Sequence, residues 1–246
     1  MSGAQIGQRK TKIKEQTKKI YMNTGDYISE RTGLLLVDPY NDFLSEKGKF
    51  WPKTKEVAEK VKLLTNLKSV VDAARQSGIR VFIVPHRRWE PGDYAHWKHA
   101  TARQLATAEG QIFAKGAWGG EWHPDFAPQE GDVIIKEHWG QSGFANTDLD
   151  QQLKQHGIEK IILIGMLANT CIESTGRFGM ELGYHVTLVK DATAAESWEA
   201  MHASELNAPT FAHAFLSTQE LLAVLPPRGQ PESTLILRDT LNHNLL

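Results

Sequence analysis

Short apolar runs punctuate the middle of this chain, separated by longer amphipathic segments. The runs lie at 34–37, 79–84, 133–135, 161–164 and 186–189, with a weaker one at 213–216. Within each run apolar side chains are nearly continuous. That is the pattern of strands covered on both faces, as in a parallel sheet. Between the runs, apolar positions recur every three or four residues. Val57, Val61, Leu64, Leu67, Val71 and Ala74 form one such stripe, which predicts one helix ended by Gly78. Thr147 with Asp150 reads as a variant N-cap box for a helix carrying Leu149 and Leu153, closed by Gly157. A further helix is predicted over 171–183. This alternation predicts a single doubly wound α/β domain, with a mainly parallel sheet of about six strands and helices on both faces. Residues 86–130 are too many for a plain helical crossover and are expected to form a lid or pocket wall.

The predicted domain covers residues 31–225. An N-terminal basic arm, 1–30, carries Arg9, Lys10, Lys12, Lys14, Lys18 and Lys19, and a C-terminal extension covers 226–246. Over the whole chain 28 Lys and Arg balance 29 Asp and Glu, a net charge of −1. Such a balance offers no strong field to hold nucleic acid or an anionic membrane, so neither is an expected partner. The longest apolar run, 161–168, is far short of the roughly 20 residues a bilayer span needs. The N-terminus lacks an apolar signal-type stretch, and one cysteine cannot form an internal disulfide. A cytoplasmic protein is therefore expected.

In open α/β sheets the chemistry lies beyond the carboxyl ends of the strands. Asp38 follows the first run, Lys136 the third, and Cys171 comes after a short turn beyond the fourth. A helix N-terminus and a nearby ammonium both favour a thiolate. A carboxylate can take the thiol proton and return it to a leaving amine. Backbone N–H groups around the turn can hold an oxyanion. Together these groups suit acyl transfer through a thioester.

The segments Leu35-Leu36-Val37-Asp38-Pro39-Tyr40-Asn41-Asp42-Phe43, Lys136 with Ser142-Gly143-Phe144-Ala145-Asn146-Thr147-Asp148-Leu149, and Gly165-Met166-Leu167-Ala168-Asn169-Thr170-Cys171-Ile172-Glu173 resemble the isochorismatase-like cysteine hydrolases. Their order and spacing extend the resemblance over about residues 30–225. The Cys171 to Thr175 run is similar to the ureidoacrylate and N-carbamoylsarcosine amidohydrolase branches. The resemblance implies Asp38 as general base, Lys136 as orienting cation and Cys171 as nucleophile. It also implies a cis peptide at Met166–Leu167 and an oxyanion hole from the Leu167 and Cys171 amides. The implied reaction is C–N cleavage of a small amide, carbamoyl or ureido substrate, with no cofactor, in a homo-oligomer (dimer or tetramer) by analogy. Tyr40 stands where the family often has Gln.

Phe43, Tyr40, Trp89, Trp139 and Arg87 are candidate substrate contacts, Arg87 because its planar fork suits a carboxylate. The segment Pro85-His86-Arg87-Arg88-Trp89 lacks an Asp-x-His pair, and the His96/His99 spacing has no companion carboxylate. No metal site is expected. Two other functions fit the residues less well: a non-catalytic small-molecule-binding module, and a cysteine-dependent phosphatase using Cys171 and Arg177.

Overall fold

Six strands paired in parallel carry the whole structure. The computed structural model describes residues 27–227. In it β1 (Thr32–Val37), β2 (Arg80–Val84), β3 (Val133–Ile134), β4 (Lys160–Met166), β5 (His185–Ala194) and β6 (Ala214–Leu216) lie in the order β3-β2-β1-β4-β5-β6. All the ladders are parallel. The helices are α1 (Asn41–Leu44), α2 (Trp51–Lys60), α3 (Leu63–Gln76), α4 (Ala102–Glu109), α5 (Leu149–Gln155), α6 (Glu173–Glu181), α7 (Trp198–Asn207) and α8 (Thr218–Leu222).

The apolar runs are continuous because successive strand residues meet two different cores. Leu34, Leu36, Val81, Ile83, Ile162 and Ile164 pack with Val57, Leu67, Met201 and Leu221 of α2, α3, α7 and α8. Leu35, Val37, Phe82, Val84, Ile161 and Leu163 pack on the opposite face with Leu149 and Leu153 of α5, and with Ile172. β1, β2 and β4 thus bury both faces, the habit of a doubly wound sheet, while Ile134 of the edge strand β3 is exposed.

Three local expectations need correction. The 57–74 stripe is two helices, because Lys62 takes a left-handed conformation (φ 57°) between α2 and α3. The stripe runs on across the break since both helices pack on one core. The cap box before α5 does not form. The N-cap is Asp148, whose side chain makes no capping bond, while the Thr147 hydroxyl accepts from the Leu149 N–H at 3.2 Å. Cys171 does not begin an α-helix; it sits in a π-helical turn, Ala168–Ile172, that leads into α6.

Tyr27 is buried, its hydroxyl 2.8 Å from Thr187 Oγ1. Residues 1–26 and 228–246, most of the predicted arm and extension, lie outside the described residues. No helix among the described residues is long and apolar enough to cross a membrane.

Gly165, near the end of β4, lies against Val37, the last residue of β1. Its φ is 116°, and an added Cβ would overlap the Val37 carbonyl oxygen. This close approach brings the ends of β1 and β4 together. Gly165→Ala should cost roughly 2–5 kcal/mol from the unfavourable φ and the overlap combined. The control Gly157→Ala meets nothing within 4 Å of its Cβ and should cost no more than about 1–2 kcal/mol. Urea unfolding of the two variants checks the difference; equal losses would contradict it.

Candidate active site

From β1 the sheet grows through β2 to β3, and from β4 through β5 to β6. A crevice therefore opens between the carboxyl ends of β1 and β4, where such folds place their ligands. Asp38 is the first residue beyond β1. It is fully buried, holds φ at 54°, and donates its N–H to the Val84 carbonyl at 3.0 Å. Beyond β4 the Met166–Leu167 peptide is cis, and the π turn then carries Cys171 back to the crevice. Asp38, Cys171 and a third residue, His138, bring a carboxylate oxygen, a sulfur and a ring nitrogen within 4.8 Å of one another, all buried.

His138 stands where Lys136 was expected. Lys136 is exposed, and its backbone N–H donates to Asp148 Oδ1 at 2.8 Å. The physical reason is a bulge at the sheet edge. Ile134 pairs with Ile83, and the ladder next resumes at His138 opposite His86. Four steps on the β3 side therefore span three on the β2 side. The extra residue turns Lys136 and Glu137 outward and His138 inward. Glu137 then meets Arg88 at 2.6 Å and Arg87 at 3.3 Å. The sequence held one signal for His138: it is the first titratable residue before Ser142-Gly143-Phe144 that a single-residue bulge would turn inward.

The hydrogen bonds define what this histidine does. Its Nδ1 lies 3.1 Å from the Gly140 carbonyl oxygen and its Nε2 3.1 Å from Asp38 Oδ1. The carbonyl can only accept, so Nδ1 carries a proton. Nε2 faces a carboxylate, so one further proton is held between ring and carboxyl. Neither nitrogen is left to act on Cys171. The other carboxylate oxygen, Asp38 Oδ2, is buried with no hydrogen-bond partner. Burial pushes the Cys171 thiol well up, and the charge and hydrogen bonding of Asp38 push it further; the Thr170 hydroxyl and the Leu167 backbone act the other way. A protonated thiol thus sits beside a free carboxylate oxygen. Asp38, His138 and Cys171 are also metal-ligating types, but His138 would have to give up its bond to Asp38 or Gly140 to bind an ion.

A cavity of about 200 Å³ opens onto Cys171. Among the candidate contacts, Phe43 and Trp139 line it, as does Leu167. Tyr40, Trp89 and Arg87 do not. Tyr40 is wholly buried, donates its hydroxyl to the His86 carbonyl at 2.9 Å and stacks on Trp122. Trp89 is tied by its backbone to Phe113 and Lys115. Arg87 is held by Glu90, Asp93 and Glu137, with its guanidinium 4.7 Å from the centre of the Trp139 ring. Arg177 lies on α6 and pairs with Glu173 at 2.8 Å, so no phosphate cradle forms around Cys171. The long excursion supplies much of the cavity wall, including Arg103, Ile112 and Phe113. Buried Asp42 pins it, accepting from the N–H groups of Phe113 at 2.8 Å and Lys49 at 2.9 Å. His86 also lines the cavity, and sequence reasoning missed it.

Comparison with known proteins gives the family and the fold. Residues 32–220 match the family model described as the Isochorismatase domain. The ureidoacrylate amidohydrolase of Pseudomonas syringae pv. syringae is 30% identical over 212 residues, 81% of this chain and 86% of that protein. The solved structure of a cysteine hydrolase from Pseudomonas syringae pv. phaseolicola superposes with a TM-score of 0.68 at 27% identity, covering 80% of this chain and 93% of the other. An N-carbamoylsarcosine amidase from Thermoplasma acidophilum gives a TM-score of 0.57 at 25% identity, covering 76% and 96%.

Two measurements test the site. His138→Ala strands Asp38 as a buried, unpaired carboxylate and should cost about 3–5 kcal/mol. Combined with Asp38→Asn it should cost less than the two single losses added; additive losses in urea unfolding would show that the pair does not interact. Cys171 is the chain's one cysteine, so its thiolate can be followed by ultraviolet absorbance. Asp38→Asn removes two of the influences that push the thiol up, and its thiolate should appear at lower pH than in the wild type. An unchanged titration would contradict the contact.

Proposed function

We propose that this chain, which belongs to the isochorismatase family and is a hydrolase of carbon–nitrogen bonds other than peptide bonds, cleaves a small amide or ureido substrate through a thioester on Cys171. One observation carries this reading: the buried Asp38 carboxylate, whose Oδ2 has no hydrogen-bond partner, acting on the Cys171 thiol.

The chemistry follows from that neighbourhood. As the Cys171 sulfur bonds to the substrate carbonyl carbon, Asp38 Oδ2 takes the thiol proton. The carbonyl oxygen becomes an oxyanion, and the backbone N–H groups of Leu167 and Cys171, two residues that border the cavity, are the proposed donors to it. The C–N bond then breaks. Asp38 passes its proton to the departing nitrogen, and ammonia or an amine leaves a thioester behind. Water gives a proton to Asp38 and attacks the thioester carbon. The C–S bond breaks, the acid is released, and the sulfur recovers its proton from Asp38.

His138 is the positioning partner of this scheme. It keeps Asp38 Oδ1 occupied, while Oδ2 stays free for the proton transfers. With both nitrogens engaged, it has no route to act as the base itself.

Cys171→Ala should abolish turnover measured as ammonia release from a panel of primary amides and ureas. Intact-mass analysis of the wild type under turnover should show an acyl adduct on Cys171. His138→Ala should lose about 100-fold or more in kcat/KM. Turnover surviving in Cys171→Ala would refute the thioester route.

A further inference from the structure

The cavity wall bears on what kind of acyl group the site accepts. Phe43, Phe50, Ile112, Phe113, Trp139 and Leu167 give most of it an apolar surface, beside uncharged polar residues such as Gln104 and Gln141. Its volume suits a ligand a little larger than a benzene ring, since a dry cavity of about 150 Å³ accepts benzene. Among the described side chains lining it, Arg103 alone carries a permanent charge. That charge is committed elsewhere. Arg103 Nη1 and Nη2 bind Glu196 Oε1 at 3.1 Å and Oε2 at 2.8 Å, a two-pronged pair that takes one of the two edges a carboxylate can use. Arg87 and Arg88, on the same excursion, are likewise held by carboxylates.

The histidine on the wall, His86, offers an acceptor. Its Nδ1 lies 2.9 Å from the Arg87 carbonyl oxygen and is therefore the protonated nitrogen. Burial and the neighbouring His138 both hold the ring below its ordinary range, which keeps it neutral and leaves Nε2 with a lone pair. An acceptor in an apolar wall suits an amide or ureido N–H and disfavours a carboxylate.

We propose that the site selects a neutral, apolar acyl or ureido substituent whose N–H is accepted by His86, and that it discriminates against carboxylate-bearing substrates because Glu196 withholds Arg103. This rests on the amidohydrolase reading and narrows it. Glu196 acts as a positioning residue through Arg103.

Pairs of probes that differ only by methyl against carboxylate test it: crotonamide with fumaramate, and butylurea with 4-ureidobutyrate. In the wild type kcat/KM should be at least about tenfold higher for the neutral member of each pair. Glu196→Gln should narrow that ratio by raising kcat/KM for the anions, a shift that loss of a purely structural ion pair would not produce. Calorimetry on Cys171→Ala, or on Cys171→Ser should the alanine variant not fold, reads the same preference without turnover. Equal or stronger binding of the anions, absence of binding by the neutral probes, or a ratio unmoved by Glu196→Gln would overturn the proposal. Neutral probes that bind preferentially yet are never hydrolysed by the wild type would leave the selectivity standing and count against the amidohydrolase reading instead.

Discussion

A carboxylate and an imidazole, both shut off from solvent and 3.1 Å apart, set the terms for the rest of this molecule. Burying either group alone carries a heavy desolvation penalty, and the pair is tolerable only because each satisfies the other. Gly140 fixes the far side of the ring. The left-handed backbone at Asp38 and the bulge before His138 are the local distortions that bring the two together. The arrangement leaves one carboxylate oxygen unspent beside the thiol, and the proposed reaction draws on that oxygen in each proton transfer.

The sheet provides the rigid frame for this pair. Gly165 lets the ends of β1 and β4 approach closely, so that the residue after one strand and the turn after the other share a crevice. The excursion from 86 to 130 closes the crevice into a cavity, and it is anchored from below. Asp42 accepts two backbone N–H groups, Tyr40 stacks on Trp122, and Arg87 lies over Trp139 while binding three acidic residues. Side chains that look like substrate contacts in the sequence are here the fastenings of the wall.

The frame was readable from the amino-acid pattern because strand burial on two faces writes itself as unbroken apolar runs. All six runs became strands, and Asp38 and Cys171 were legible because they follow strand ends. Lys136 was misread for a definite reason. A strand extrapolated in regular steps from Val133 and Ile134 points to the lysine, and a one-residue bulge leaves no periodic trace. The helix break at Lys62 was hidden for a similar reason, since both helices face the same core. Partners across the fold were not legible either. That Arg103 is held by Glu196, 93 positions away, or Arg87 by Glu137, emerges only once the chain is folded.

The proposed reaction requires Asp38 as an ionised carboxylate when the thiol gives up its proton. Nitrogen-15 chemical shifts of His138 in uniformly labelled protein report that state directly. The proposed reaction requires the shared proton to lie on the ring, so that both nitrogens give the shifts of protonated imidazolium and Asp38→Asn changes the Nε2 signal. A bare, pyridine-like Nε2 in the wild-type protein would place the proton on the carboxyl group and deny Asp38 the role of base.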